Sequence, residues 1–194
     1  MATTVRISLD QWLSQPDTEP SSEFVCGEML QKPMPNFPHY LLTGLLVRLL
    51  GNFTALHNLG FVGPELRCVF GPLTGRRGYV PDIAFVRRDR LPRGDARSLV
   101  PFPYPPDLAI EVLSPDQNIG RFTEKLQFYL RHGVRLVWVV DPIAETITVH
   151  RPDADPFTLS VGDTLDGDDV VPGFTLPVAD IFAQLTLDDG QVGA

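Results

Sequence analysis

Two carboxylates interrupt apolar runs in this chain. Glu111 lies inside Leu108–Leu113 (LAIEVL), and Asp82 inside Tyr79–Val86 (YVPDIAFV). A charged carboxylate in a buried strand is costly unless it is paired, hydrogen-bonded or bound to a metal. If the two runs are neighbouring strands, the carboxylates converge and repel, unless a cation joins them or one holds a proton. An all-oxygen donor set of this kind suits Mg²⁺ or Mn²⁺. Lys125 falls at the edge of the helical face made by Phe122, Leu126 and Tyr129. From there an ammonium could reach over the strand ends to hold a water or offset charge on a phosphate. Glu124 falls on the solvated side. The chain has only two lysines, Lys32 and Lys125, beside fourteen arginines. Lysine at 125 is therefore a choice that asks for a chemical reason, since the two bases are not interchangeable. Plainer roles compete. Asp82 could cap a turn, Glu111 and Lys125 could be a structural ion pair, and His39 could be a helix-end histidine. There is no Walker loop, GxGxxG, HExxH or nucleophile elbow. Ser114 has no histidine and acid partners in sequence, and His57, His132 and His150 lack ligand spacing.

The elements that must position these groups follow from periodicity. Val5–Leu13 is amphipathic. Glu23–Lys32 reads as a hairpin turning at Cys26–Gly27. Pro33, Pro35 and Pro38 forbid regular structure before a helix from about Pro38 to His57. Residues 61–70 and 79–86 read as strands, and Arg87–Pro106 as a long loop of the kind that is often functional. Residues 107–113 form a short apolar strand, Ser114–Gly120 a polar turn, and Arg121–His132 a second helix ended by Gly133. Leu136–Val140 is a buried strand that pairs with Thr146–Arg151. Phe157–Val161 and a closing helix over Val178–Leu185 complete the list. Strand–helix–strand order predicts an α/β fold with a locally parallel pair in a mixed sheet.

The 194 residues suit one domain, 1–194, with a core over about 20–152 and an acidic extension over 153–194. No run of about 18 apolar residues exists and no secretory leader is visible, so the expectation is a soluble, cytoplasmic protein. Cys26 and Cys68 are expected to be free thiols. Net charge is −8, which taken alone argues against a polyanionic partner. The excess is local. Residues 141–194 carry eleven acids and one base, Arg151, whereas seven arginines crowd into 76–97. Nucleic acid could meet that segment without meeting the tail; a solvated arginine-rich loop is the alternative.

Several blocks resemble the Uma-two family of the PD-(D/E)XK restriction-endonuclease-like superfamily. They are Pro106–Pro115 (PDLAIEVLSP), Val80–Ile83 (VPDI), Glu124-Lys125-Leu126 with Tyr129, and Gly133-Val134 with Trp138–Pro142 (WVVDP). The hairpin Glu23–Glu28 and His39 after the proline-rich turn also match. The resemblance implies an αβββαβ core with an N-terminal β-hairpin and a β-rich C-terminal extension. It implies that Asp82, Glu111 and the Val112 carbonyl hold Mg²⁺ (or Mn²⁺). The lysine that usually follows the acid by two residues is Leu113 here, and Lys125 on the next helix takes its place. The implied activity is endonucleolytic cleavage of nucleic acid, with DNA as the expected substrate, by a homodimer, with Glu28 and His39 assisting. A catalytically silent nuclease fold used for binding is the alternative. The chain departs from the family pattern at Cys26, Arg121 and Leu136, where acids are common.

Overall fold

The computed structural model describes residues 5–71, 75–99, 102–115 and 117–187. The end of the acidic extension (188–194), residues 100–101 of the long loop and Asp116 of the polar turn lie outside the described residues. Chain order is β1 (Val5–Arg6), α1 (Leu9–Ser14), β2 (Ser22–Val25), β3 (Glu28–Gln31), α2 (Phe37–Leu56), β4 (Gly60–Pro64), β5 (Cys68–Phe70), β6 (Arg77–Tyr79), β7 (Ile83–Arg87), β8 (Leu108–Val112), α3 (Ile119–Arg131), β9 (Leu136–Asp141), β10 (Thr146–His150), β11 (Phe157–Leu159), β12 (Thr164–Asp166), β13 (Thr175–Pro177) and α4 (Val178–Phe182). Six strands form the central sheet in the order β11-β10-β9-β8-β7-β4. β8 and β9 are parallel and joined by α3, while the other neighbours are antiparallel. The mixed sheet expected from strand–helix–strand order is present. A second sheet runs β1-β3-β2-β6-β5, and β12 pairs with β13.

Strand parity sorts the core into two layers. Leu108, Ile110 and Val112 of β8 and Leu136, Trp138 and Val140 of β9 pack with Leu42, Leu46 and Leu50 of α2. The alternate residues Ala109, Val137 and Val139 pack with Phe122, Leu126 and Tyr129 of α3, and with Phe70 and Tyr79 of the second sheet. Glu111 shares the parity of Ala109, so it faces α3. A slip of one residue would drive it into the α2 layer, which fixes the register of β8. Helix starts are set by side chains: Asn36 accepts the His39 N–H and Asn118 accepts the Arg121 N–H. Gly133, at φ 104, turns the chain out of α3.

Two expected strands each divide between sheets. The run 61–70 breaks into β4 and β5 around Glu65, which has a left-handed φ of 50. The run 79–86 leaves the second sheet after Tyr79 and enters the central sheet at Ile83. Pro81 lies in that crossing, where a residue without an N–H breaks no ladder. The long loop contains two short 3₁₀ turns, Arg88–Arg90 and Ala96–Ser98. The C-terminal extension is strand-rich as expected. It also belongs to the main core, since Leu165, Val170, Val171, Phe174, Ile181 and Phe182 are buried with the α2 layer.

Candidate active site

The antiparallel pairing of β7 with β8 sets Ile83 opposite Ile110. Continuing that register places Asp82 opposite Glu111 and Pro81 opposite Val112. Leu113 donates its N–H to the Val140 carbonyl on the β9 side. Backbone groups alternate sides along a strand, so the N–H and C=O of Val112 face the β7 side. There Asp82 Oδ2 accepts the Val112 N–H at 2.7 Å. Pro81 has no N–H to offer the Val112 carbonyl, so the ladder leaves that oxygen free at the cleft that Val112 lines.

Glu111 projects from the opposite face of β8 to the α2 layer and meets α3. Lys125 Nζ lies 2.8 Å from Glu111 Oε1 and 2.9 Å from Oε2. Tyr129 Oη donates to Oε1 at 2.9 Å. Lys125 also contacts Glu23 Oε1 of β2 at 2.8 Å, and that oxygen accepts the Val80 N–H at 3.2 Å. Asp82 has its own polar partners. Lys32 Nζ lies 2.5 Å from Oδ1, and His39 Nε2 lies 3.1 Å from Oδ2. Lys32 also donates to the Val80 carbonyl at 2.8 Å. Glu23, Lys32, His39, Asp82, Glu111 and Lys125 line one cleft of about 450 Å³, together with Glu28, Cys26 and Arg121.

Burial sets the electrostatics. Asp82 and Glu111 are 4% and 2% exposed. For Asp82, burial alone would raise the pKa, but Lys32 and His39 outweigh it and hold the carboxyl well below its ordinary range. For Glu111, burial pushes the carboxyl up; Lys125 opposes this and the Asp82 carboxylate adds to it. Burial would drag Lys125 down, yet Glu111, Glu23 and Asp82 hold its ammonium above the ordinary lysine value. Tyr129 is raised by burial and by its carboxylate neighbours, so its hydroxyl stays a donor.

The expected Asp82, Glu111, Lys125 and His39 therefore meet in one place. Glu28 lines the same cleft without joining the ion pairs. The structure adds Glu23, Lys32 and Tyr129, which the sequence did not single out. Lys32 carried a signal, because the scarcity that marks Lys125 marks it equally. Glu124 is exposed and pairs with Arg77 at 2.8 Å. Much of the arginine-rich segment is occupied locally: Arg87 pairs with Asp89, Arg90 with Asp107 and Arg97 with Asp95, and Arg88 lies over the Phe61 ring. Both cysteines are free.

Among the described residues no group of three or more His, Cys, Asp or Glu side chains is placed to hold a metal ion. The expected donor set contains only two such side chains, and its third oxygen is the Val112 carbonyl. Two carboxylates and an unladdered carbonyl are hard donors that fit Mg²⁺ or Mn²⁺. The carboxylates are at the same time held by lysine ammoniums, which a metal ion would have to share or displace.

A model of the Uma2 family, described as "Putative restriction endonuclease", matches residues 9–179. The chain belongs to the Uma2 family. It is also similar to a solved structure described as a putative nuclease belonging to DUF820, from Anabaena variabilis ATCC 29413. Identity is 30%, the match covers 93% of this chain and 99% of that one, and the TM-score is 0.82. No curated protein matches the chain. The Uma2 assignment and the mixed sheet place the cleft in a restriction-endonuclease-like nuclease fold. Among the described residues, no helix is long and apolar enough to cross a membrane.

Proposed function

We propose that this chain, folded as a single domain, is a divalent-metal-dependent endonuclease that hydrolyses phosphodiester bonds in nucleic acid, with DNA as substrate. The observation that carries this reading is the meeting of Asp82, Glu111 and Lys125 in one cleft of a nuclease-family fold. Asp82, Glu111 and the Val112 carbonyl would hold Mg²⁺ or Mn²⁺. When bound, such an ion lowers the pKa of a coordinated water and offsets charge on the phosphate. The side chains do the rest. Lys125 keeps its proton, so it is no general base; it orients the attacking water and stabilises negative charge gathering on the phosphate oxygens. Glu23 and Tyr129 fix Lys125 and Glu111 in place. His39 positions Asp82, and Glu28 stands at the cleft wall to hold water or a second ion.

The test is cleavage of end-labelled DNA with Mg²⁺ or Mn²⁺ by wild type, Glu111→Gln and Lys125→Ala. Each substitution should lower the rate by about 10²-fold or more. Equal activity in all three sinks the assignment.

One observation favours a second reading, a catalytically silent fold used for binding: both carboxylates already hold ammoniums. Calorimetric titration with Mn²⁺ separates the two. Uptake abolished by Asp82→Asn belongs to the enzyme, and no uptake by folded protein belongs to the binder. A homodimer, by analogy with fold relatives that pair two sites on two strands, is checked by sedimentation equilibrium. A monomer at every concentration contradicts it.

A further inference from the structure

Lys32 stands at the strongest contact Asp82 makes. Its Nζ is 2.5 Å from Oδ1 and is held from the other side by the Val80 carbonyl at 2.8 Å. Its side chain is 13% exposed, so the ammonium is largely withdrawn from water and faces the cleft. Buried charge at the heart of the cleft is almost balanced without any ion. Glu23, Asp82 and Glu111 supply three carboxylates against the ammoniums of Lys32 and Lys125. Adding a divalent cation to this set turns a deficit of one positive charge into an excess of one. Uncompensated charge in a desolvated site is expensive. Two events could restore balance: loss of the Lys32 ammonium from Asp82, or arrival of one anionic phosphodiester.

Resting on the nuclease reading above, we infer that Lys32 is a tethered cation that competes with the divalent ion for Asp82 and turns to the substrate's phosphate when that ion binds. Metal and phosphodiester binding are thereby coupled: each is weak alone and each strengthens the other. Lys32 is suited to the exchange. Its four-carbon stem comes from the proline-rich segment just after β3, at the cleft rim, and an ammonium carries no fixed fork geometry. Lys125 is not suited, because Glu111 and Glu23 grip it from two elements. His39, on the other oxygen of Asp82, stays as its positioning partner.

The experiment measures Mn²⁺ binding to the full chain by electron paramagnetic resonance, with and without diethyl phosphate as a minimal phosphodiester. Wild type, Lys32→Met, Lys32→Arg and Asp82→Asn are compared, with circular dichroism to confirm folding. Lys32→Met should bind Mn²⁺ alone roughly tenfold or more tightly than wild type, within the usual range for coupled sites. Diethyl phosphate should tighten Mn²⁺ binding to wild type and do so less for Lys32→Met. Lys32→Arg, which keeps the charge, should stay close to wild type. The inference is overturned if Mn²⁺ binds wild type in an Asp82-dependent way but Lys32→Met binds it no more tightly. It is equally overturned if Lys32→Arg tightens binding as much as Lys32→Met, since charge would then not be the cause. Absence of Mn²⁺ binding by every folded variant is a different result: it removes the metal-dependent reading, and the inference falls with it.

Discussion

Asp82 answers to four polar groups at once: the Lys32 ammonium, the His39 imidazole, the Val112 N–H and, across the strand register, Glu111. Its folded-state pKa lies below the ordinary 3.8, so its stabilising effect is present above that value and is lost as pH falls toward the folded one. Asp82→Asn should therefore lose part of the acid limb of stability. Urea midpoints between about pH 5 and pH 2 should fall less steeply in the variant than in wild type. An identical slope would mean that the carboxylate is not the group that titrates. Asp82, Glu111 and Lys125 were legible in the sequence because each is a misfit in a one-dimensional pattern, a charge inside an apolar run or face. Glu23 was not, and Lys32 was marked only by the scarcity of lysine, because their burial comes from the hairpin lying over the cleft. Nothing in the alternation of a four-residue strand foretells that. The Val112 carbonyl came from the family pattern, and its freedom has a local cause in the missing N–H of Pro81.

At the scale of elements, the hairpin of β2 and β3 brings Glu23 and Lys32 to the ends of β7 and β8, and it is supported from behind by α1. Trp12 of α1 is fully buried and donates its indole N–H to Ser22. It lies against Gly78 of β6 so closely that a Cβ at that position would come within 2.2 Å of its ring. Gly78→Ala should thus displace α1 and lower stability by about 1–3 kcal/mol, the usual effect of overpacking. Chemical denaturation measures it, and an unchanged midpoint would show that the ring can move aside. Sequence periodicity found both long helices, because their apolar stripes are long. It merged β4 with β5 and β6 with β7, because a strand that changes sheets keeps its apolar character through the corner. β1 is two residues long and carries no periodic signal.

Across the whole molecule, the C-terminal stretch that composition marks as an acidic appendage is the lid of the main core. Phe174 packs on Phe53 of α2 with centroids 5.3 Å apart and on Trp138 of β9 at 6.1 Å. Phe174→Ala should cost about 3–5 kcal/mol, as large core truncations do. Thermal unfolding checks this, and a loss below 1 kcal/mol would make the extension peripheral after all. Its role was hidden in the sequence because its apolar residues are spaced by turns among aspartates, with no single period. Among the described residues of this stretch Asp163, Asp166, Asp169 and Asp180 are exposed while the apolar side chains are buried, so its negative charge belongs to the surface more than to the cleft. The central claim concerns the cleft, and cleavage chemistry tests it most directly. End-labelled duplex DNA is incubated with Mg²⁺ and folded wild type or Glu111→Gln, with a parallel reaction containing EDTA. The account predicts cutting by wild type that EDTA abolishes and that Glu111→Gln reduces by about 10²-fold or more. Cutting that survives EDTA, cutting at the wild-type rate by Glu111→Gln, or none by wild type would contradict it.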